Sequence, residues 1–205
     1  MGETDATGTT TVFKPDSSIF LDCQFSFEVL QKRLRELSFL NKGVKIILQE
    51  EATDKQVEFL FDGGIVSFVE YLNKGRNVLH DNLIIVHGET IDETSKAVIA
   101  TAECVLQWSD SYQENIHSYV NNINTIEGGT HLTALKSALT RVINQFAENL
   151  GVLKTIKEDG ITGEDVREGL TGIISVRIKN PEFQGQTKTK LGNPEVRCWL
   201  ENLLN

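Results

Sequence analysis

Nowhere in its 205 residues does this chain string together eighteen apolar residues, so no segment is fit to cross a bilayer as a helix. The opening Met1-Gly2-Glu3-Thr4-Asp5 offers neither a basic region nor an apolar stretch, so a secretory signal peptide is not expected there. Cysteine is scarce. Cys23, Cys104 and Cys198 lie far apart, odd in number and without a Cys-x-x-Cys pair. That argues against a zinc site or a disulfide framework, and predicts reduced thiols in a cytoplasmic protein or in one of an organelle of similar redox poise. A basic excess is missing too. The net charge is −9, so a broad DNA-gripping face is not expected, and any DNA contact has to be local or supplied by other parts of a larger protein. No internal repeat occurs, and no Walker or Rossmann glycine signature, which argues against a self-contained nucleotide pocket.

What is present suits one domain with a real core: 40% of the residues are apolar, enough to dispense with staples. Residues 1–8 are small and polar and are expected to fray. Thr9 to Phe13 is β-branched and aromatic and predicts a strand, ended by Pro15-Asp16. Phe27, Leu30, Leu34 and Leu37 recur every three or four residues and predict an amphipathic helix from Ser26 to about Asn41. Val44 to Leu48 and Val57 to Phe61 read as strands around a polar turn. Ile65, Phe68, Val69 and Leu72 mark a short helix. Leu83 to Val86, Ala97 to Gln107 and Ile116 to Val120 are further strands. Leu132, Leu135, Leu139, Val142, Ile143 and Phe146 stripe a helix over 130–150, with Gly151 at its end. Thr162-Gly163-Glu164-Asp165 has the form of a capping box, Leu170 to Ile178 is a strand, and Pro194 opens a last helix. The order implies an α+β domain.

Six strings, taken in order, resemble those of the B subunits of type IIA DNA topoisomerases. They are Lys32 to Asn41 (KRLRELSFLN), Gly63 to Asn73 (GGIVSFVEYLN), Gln107 to Asn115 (QWSDSYQEN), Glu127 to His131 (EGGTH), Gly163 to Leu170 (GEDVREGL) and Gln186 to Asn193 (QTKTKLGN). The stretch Tyr119-Val120-Asn121-Asn122-Ile123 resembles the gyrase B branch more than the topoisomerase IV paralogue. A clamp module of the mismatch-repair or chaperone ATPases is the alternative outside the topoisomerases. It lacks the strings around Tyr112 to Asn115 and Glu127 to His131.

The resemblance implies a transducer domain of ribosomal protein S5 domain 2-like fold over residues 21–205: a four-stranded mixed sheet, helices packed on one face, and a left-handed crossover. It implies that residues 1–20 are the last strand and linker of a preceding GHKL-type ATP-binding domain, with Met1 an addition. Thr9 then matches a threonine that helps hold adenine. The remaining nucleotide motifs and the catalytic glutamate of that domain are not in this chain. ATP and Mg2+ are the implied cofactors of the full-length subunit, with no tight binding expected of this segment alone. The implied partners are the chain's own ATP-binding domain, a second B subunit on ATP binding, the gyrase A subunit, and DNA without sequence preference.

Within that frame Lys188 and Gln186, on the polar loop 181–192, are the candidate catalytic and ATP-binding residues. A transferring γ-phosphoryl group gathers negative charge, which a lysine placed in advance stabilises. An amide such as Gln186 donates to a phosphate oxygen, and Gly185 allows close backbone approach. Lys190 is expected to be solvated or a secondary contact, and the loop mobile without its anionic partner. Lys136, on the long helix with Arg141, is the candidate DNA contact through phosphates. His131 has no second ligand at metal spacing and is read as packing at a loop–helix junction, so no metal site is expected. Asp165 is explained as a cap and Glu164 by the helix dipole. Glu114 is given no catalytic role. Trp108 and Tyr112 are read as core or interface aromatics.

Overall fold

A strand that is apolar through most of its length should end up buried on both sides, and Leu170 to Ile178 fits that description. In the computed structural model, which describes residues 7–20, 24–92, 94–95, 97–152 and 160–205, residues 170–176 are all buried. The elements in chain order are α1 (Phe27–Leu40), β1 (Ile46–Glu50), β2 (Lys55–Phe59), α2 (Ile65–Leu72), β3 (Ile84–Ile91), β4 (Val98–Trp108), β5 (Asn115–Val120), β6 (Ile123–Asn124), α3 (Thr130–Asn149), α4 (Gly163–Arg167), β7 (Leu170–Ile178) and α5 (Pro194–Leu203). β7 sits at the centre of a five-stranded sheet ordered β3-β4-β7-β5-β6. It pairs antiparallel with β4 and parallel with β5, so the sheet is mixed.

Strand alternation sorts the core into two halves. Cys104 pairs with Ile174 and Ala102 with Val176, and these side chains meet Ala134 and Leu135 of α3 and Val196 and Leu200 of α5. The opposite parity, Val105 paired with Ile173, faces α1 and α2. There Phe39 stacks on Phe68 with ring centroids 4.6 Å apart, and Tyr119 and Val69 close the layer. Helices therefore cover both faces of the sheet, not one, and the sheet has five strands rather than four. The doubly buried β7 requires this: a single helical layer would leave Ile173, which is fully buried, in water. The fifth strand, β6, is two residues long, too short for any alternation to reveal.

The local signals explain most ends. Ser26 caps α1 through Oγ, which accepts from the Val29 N–H. The Thr162–Asp165 capping box is complete, with both reciprocal bonds formed. Pro194 stands in the first turn of α5. Other expectations need correction. The run Thr9 to Phe13 forms no strand; it has no pairing partner among the described residues, and Val12 and Phe13 are 74% and 66% exposed. The β1–β2 hairpin lies two residues from its expected place, with Glu50 opposite Lys55 and a turn over 51–54. Polar residues assigned to the turn belong to strands because this hairpin is an exposed two-stranded ribbon. β3 runs on to Ile91, well past Val86, and Phe146 leaves the apolar stripe of α3 to stand 64% exposed.

Cys104 lies in the core, where burial pushes its thiol up to about 12, and Cys198 is exposed. Neither is in a disulfide; Cys23 falls outside the described residues. Among the described residues no helix is long and apolar enough to cross a membrane.

Candidate functional site

The loop between β7 and α5 is a folded-back arm. Phe183 bridges Leu191, the Gln184 N–H donates to the Lys190 carbonyl at 2.9 Å, and the Gly192 N–H donates to the Glu182 carbonyl at 2.7 Å. The tip turns at Gly185, with φ +93°, and at Lys188, with φ +57°. The Lys188 N–H donates to the Gly185 carbonyl at 3.3 Å. A lysine in the left-handed region is uncommon, and holding it there costs on the order of 1 kcal/mol or more unless the surroundings fix it. Gln186 and Lys188 are exposed at the tip, and among the described residues no carboxylate pairs with Lys188. Lys190 is half-buried rather than fully solvated.

The surroundings that fix the arm come from sixty residues upstream. The Glu127 N–H donates to the Thr189 carbonyl at 3.0 Å, the Leu191 N–H donates to the Gly128 carbonyl at 3.1 Å, and the Thr130 N–H donates to the Leu191 carbonyl at 3.1 Å. Gly129 and Leu191 form a parallel bridge. Thr189 Oγ1 also donates to the Glu127 carboxylate at 2.8 Å. The base of the loop is thus pinned to the start of α3, whatever freedom the tip retains. Sequence patterning did not single out Glu127, Thr189 or Leu191. The string from Glu127 to His131 stands out in the sequence, but nothing in its spacing says what it touches.

Directly behind this junction His131 is fully buried. Its Nε2 lies 3.1 Å from Thr125 Oγ1, which donates to the Ser118 carbonyl at 2.9 Å. Nδ1 and the neighbouring Thr130 Oγ1 are buried and have no partner among the described residues. Burial lowers the imidazole to about 4 from an ordinary 6.5. The unfolded chain therefore binds a proton below pH 6.5 that the folded chain refuses until about pH 4, so stability falls as pH falls through that window. The penalty is about 2 kcal/mol at pH 5 and approaches about 3 kcal/mol below pH 4. His117, lowered chiefly by burial, adds to it with the same sign. Melting curves between pH 7 and pH 4.5 should show the slope, and His131→Gln should flatten it. An unchanged slope in that variant would assign the acid sensitivity elsewhere.

Lys136 is not a free cation. Its Nζ lies 2.6 Å from Glu114 Oε1, and Arg167 Nε lies 2.7 Å from Oε2 of the same carboxylate. Burial raises the Glu114 carboxyl, but the bonds and charges of the two cations outweigh it and leave it below the usual range. Arg141 donates to Asn205 Oδ1 at 2.8 Å and to the Glu201 carbonyl at 3.2 Å. Lys136, Arg141 and Arg167 edge one open depression along α3. Asp165 is held by its cap, as expected, and Glu164 sits in the first turn of α4. Trp108 donates Nε1 to the Val166 carbonyl at 2.9 Å in a packed setting, whereas Tyr112 is 86% exposed and is no part of the core. Thr9 is exposed in a segment without regular structure, and among the described residues no hydrogen bond joins it to the Lys188 arm. Among them, too, no three His, Cys, Asp or Glu side chains converge as metal ligands would.

Comparison with known proteins gives the class first. The chain superposes on the 43K ATPase domain of Thermus thermophilus gyrase B, solved with an aminocoumarin, with a TM-score of 0.73 and 36% identity over 94% of this chain and 50% of that one. It superposes on the topoisomerase IV ATP-binding domain of Francisella tularensis with a TM-score of 0.68 and 28% identity, over 93% of this chain and 50% of that one. The mixed sheet with its helices is thus an α+β arrangement similar to that in the ATPase regions of type II topoisomerases. The particular family follows from sequence. The family model for DNA gyrase B matches residues 64–205, and the DNA gyrase B protein of Myxococcus xanthus is 48% identical over 205 residues. This chain belongs to the DNA gyrase B family. It spans 24% of the length of that Myxococcus relative.

Proposed function

We propose that the chain is the transducer segment of the ATPase subunit of an ATP-dependent type IIA topoisomerase, of the gyrase B kind. In this reading it couples ATP binding and hydrolysis to DNA strand passage and supercoiling in the cytoplasm. Residues 21–205 are the transducer, of S5 domain 2-like fold, and residues 1–20 are the tail of the ATP-binding domain. The observation that carries the reading is the pinned arm with Lys188 at its tip. The tip residues 184–188 offer two amides, a hydroxyl and an ammonium, with no carboxylate. Such a donor set fits anionic oxygens and repels none of them.

ATP, with Mg2+, supplies the phosphoryl group when bound in the neighbouring domain of the full-length subunit. Lys188 sets a compact cation against the charge that gathers at the γ-phosphate, and Gln186 donates a hydrogen bond to an oxygen there or orients the attacking water. Thr9 assists the adenine. Because the arm is continuous with β7 and pinned to α3, loss of the γ-phosphate contact releases one domain relative to the other, the usual logic of such switches. Two B subunits close on ATP, the gyrase A subunit completes the assembly, and DNA passes between them without sequence readout. Lys136 contacts phosphate only by exchanging its Glu114 partner for one.

ATP-dependent supercoiling of relaxed circular DNA by the full-length subunit with its A partner tests the reading. Supercoils introduced only with hydrolysable ATP are expected. Hydrolysis with no change in linking number would make this a topoisomerase IV-type B subunit or a clamp module instead.

A further inference from the structure

The arm's tip is held at Lys188 by one 3.3 Å backbone bond, while the next residue is gripped from two sides by a single distant one. Glu127 donates its N–H to the Thr189 carbonyl and accepts Thr189 Oγ1–H on its carboxylate. The two residues are 62 apart in sequence, and Glu127 is exposed. The backbone rail from Gly128 to Thr130 already secures Leu191, which is 1% exposed. The carboxylate–hydroxyl bond is not needed to bury anything. An exposed hydrogen bond of this kind adds little to stability. Its effect falls instead on the rotamer and path of the strand immediately after a lysine in the left-handed conformation. Thr187 Oγ1, 3.4 Å from Thr189 Oγ1, extends the contact to the other side of Lys188.

We infer that Glu127 and Thr189 are positioning residues for Lys188: their carboxylate–hydroxyl bond presents the ammonium to the γ-phosphate, and neither touches nucleotide. This rests on the assignment of Lys188 above. Small misplacements of a charged group in a transfer site reduce turnover steeply, up to about a hundredfold for 1 Å, while leaving binding by the rest of the pocket intact.

The test uses full-length subunit with ATP turnover and, in parallel, titration with a non-hydrolysable ATP analogue. Glu127→Ala and Thr189→Val should each lower kcat about tenfold, with analogue affinity within about twofold of wild type. The double variant should be no slower than the slower single one, because both remove the same bond. Glu127→Gln and Thr189→Ser, which keep an acceptor and a donor, should restore most of the rate. Thr189→Val is nearly isosteric and keeps the test open if Glu127→Ala fails to fold. Wild-type turnover in both single variants, beside a slow Lys188→Ala, would overturn the positioning role alone. Loss of analogue binding together with turnover would overturn it as well, by making the pair merely structural. Wild-type turnover in Lys188→Ala would instead remove the assignment on which it rests.

Discussion

Gly129→Ala should lower the melting temperature of this chain by about 10 °C and release the Lys188 arm. A Cβ at this position would stand 2.4 Å from the Leu191 carbonyl oxygen, 2.5 Å from its nitrogen and 2.9 Å from its Cα. All three are backbone atoms, and they cannot retreat without breaking the Thr130–Leu191 and Leu191–Gly128 hydrogen bonds. Gly129 also has φ +133°, which side chains rarely adopt. Strain of about 1–3 kcal/mol plus the lost bonds gives a total of about 3–5 kcal/mol, and each kcal/mol shifts the midpoint of a chain this size by about 2–4 °C. Gly75 is the control. It has φ +82° with nothing within 4 Å of where a Cβ would stand, so Gly75→Ala meets strain without a clash and should shift the midpoint by only a few degrees. Calorimetric melting of the two variants separates them. Equal shifts would mean that the Gly129–Leu191 junction yields more readily than its bonds suggest.

Much of the domain is legible in the amino-acid order alone. α1, α2 and α3 declare themselves through periodicity, β7 through its apolar run, and Ser26, Thr162 and Pro194 through capping chemistry. These are local signals, set by three to five neighbouring residues. What stays hidden is non-local. The apolar run of β7 says that it is buried, but not that α1 and α2 cover one side of it while α3 and α5 cover the other. β6 is too short to alternate. The β-branched run at Thr9 has strand propensity with nothing among the described residues to pair with, so propensity alone misleads. The site divides in the same way. Lys188 and Gln186 come from a resemblance carried by a short string, and the structure places both at an exposed tip. The Glu127–Thr189 contact cannot be read, since a hydrogen bond between residues 62 apart leaves no spacing pattern. Nor can the pairing of Lys136 with Glu114, which lie on different elements.

Lys188→Ala, made in the full-length subunit, should reduce ATP turnover by about a hundredfold or more while leaving nucleotide affinity within a few-fold of wild type. Removing one preorganised donor from a developing oxyanion costs on the order of 10²–10³ in rate, and a charged donor belongs at the upper end. In the proposed reading the ground-state contacts to adenine, sugar and metal lie in the neighbouring domain and survive the change. Lys188→Arg keeps the charge, but a planar fork on a longer side chain does not place it where a compact ammonium does, so it should recover only part of the rate. Lys190→Ala, one step beyond Thr189 on the half-buried side of the arm, should act more weakly. Whether this domain completes an active site housed next door is decided by steady-state turnover and analogue binding measured together on wild type and Lys188→Ala. Lost turnover with retained binding is the predicted result. Wild-type turnover would contradict it, and would reduce the arm from Pro181 to Gly192 to a connector between β7 and α5.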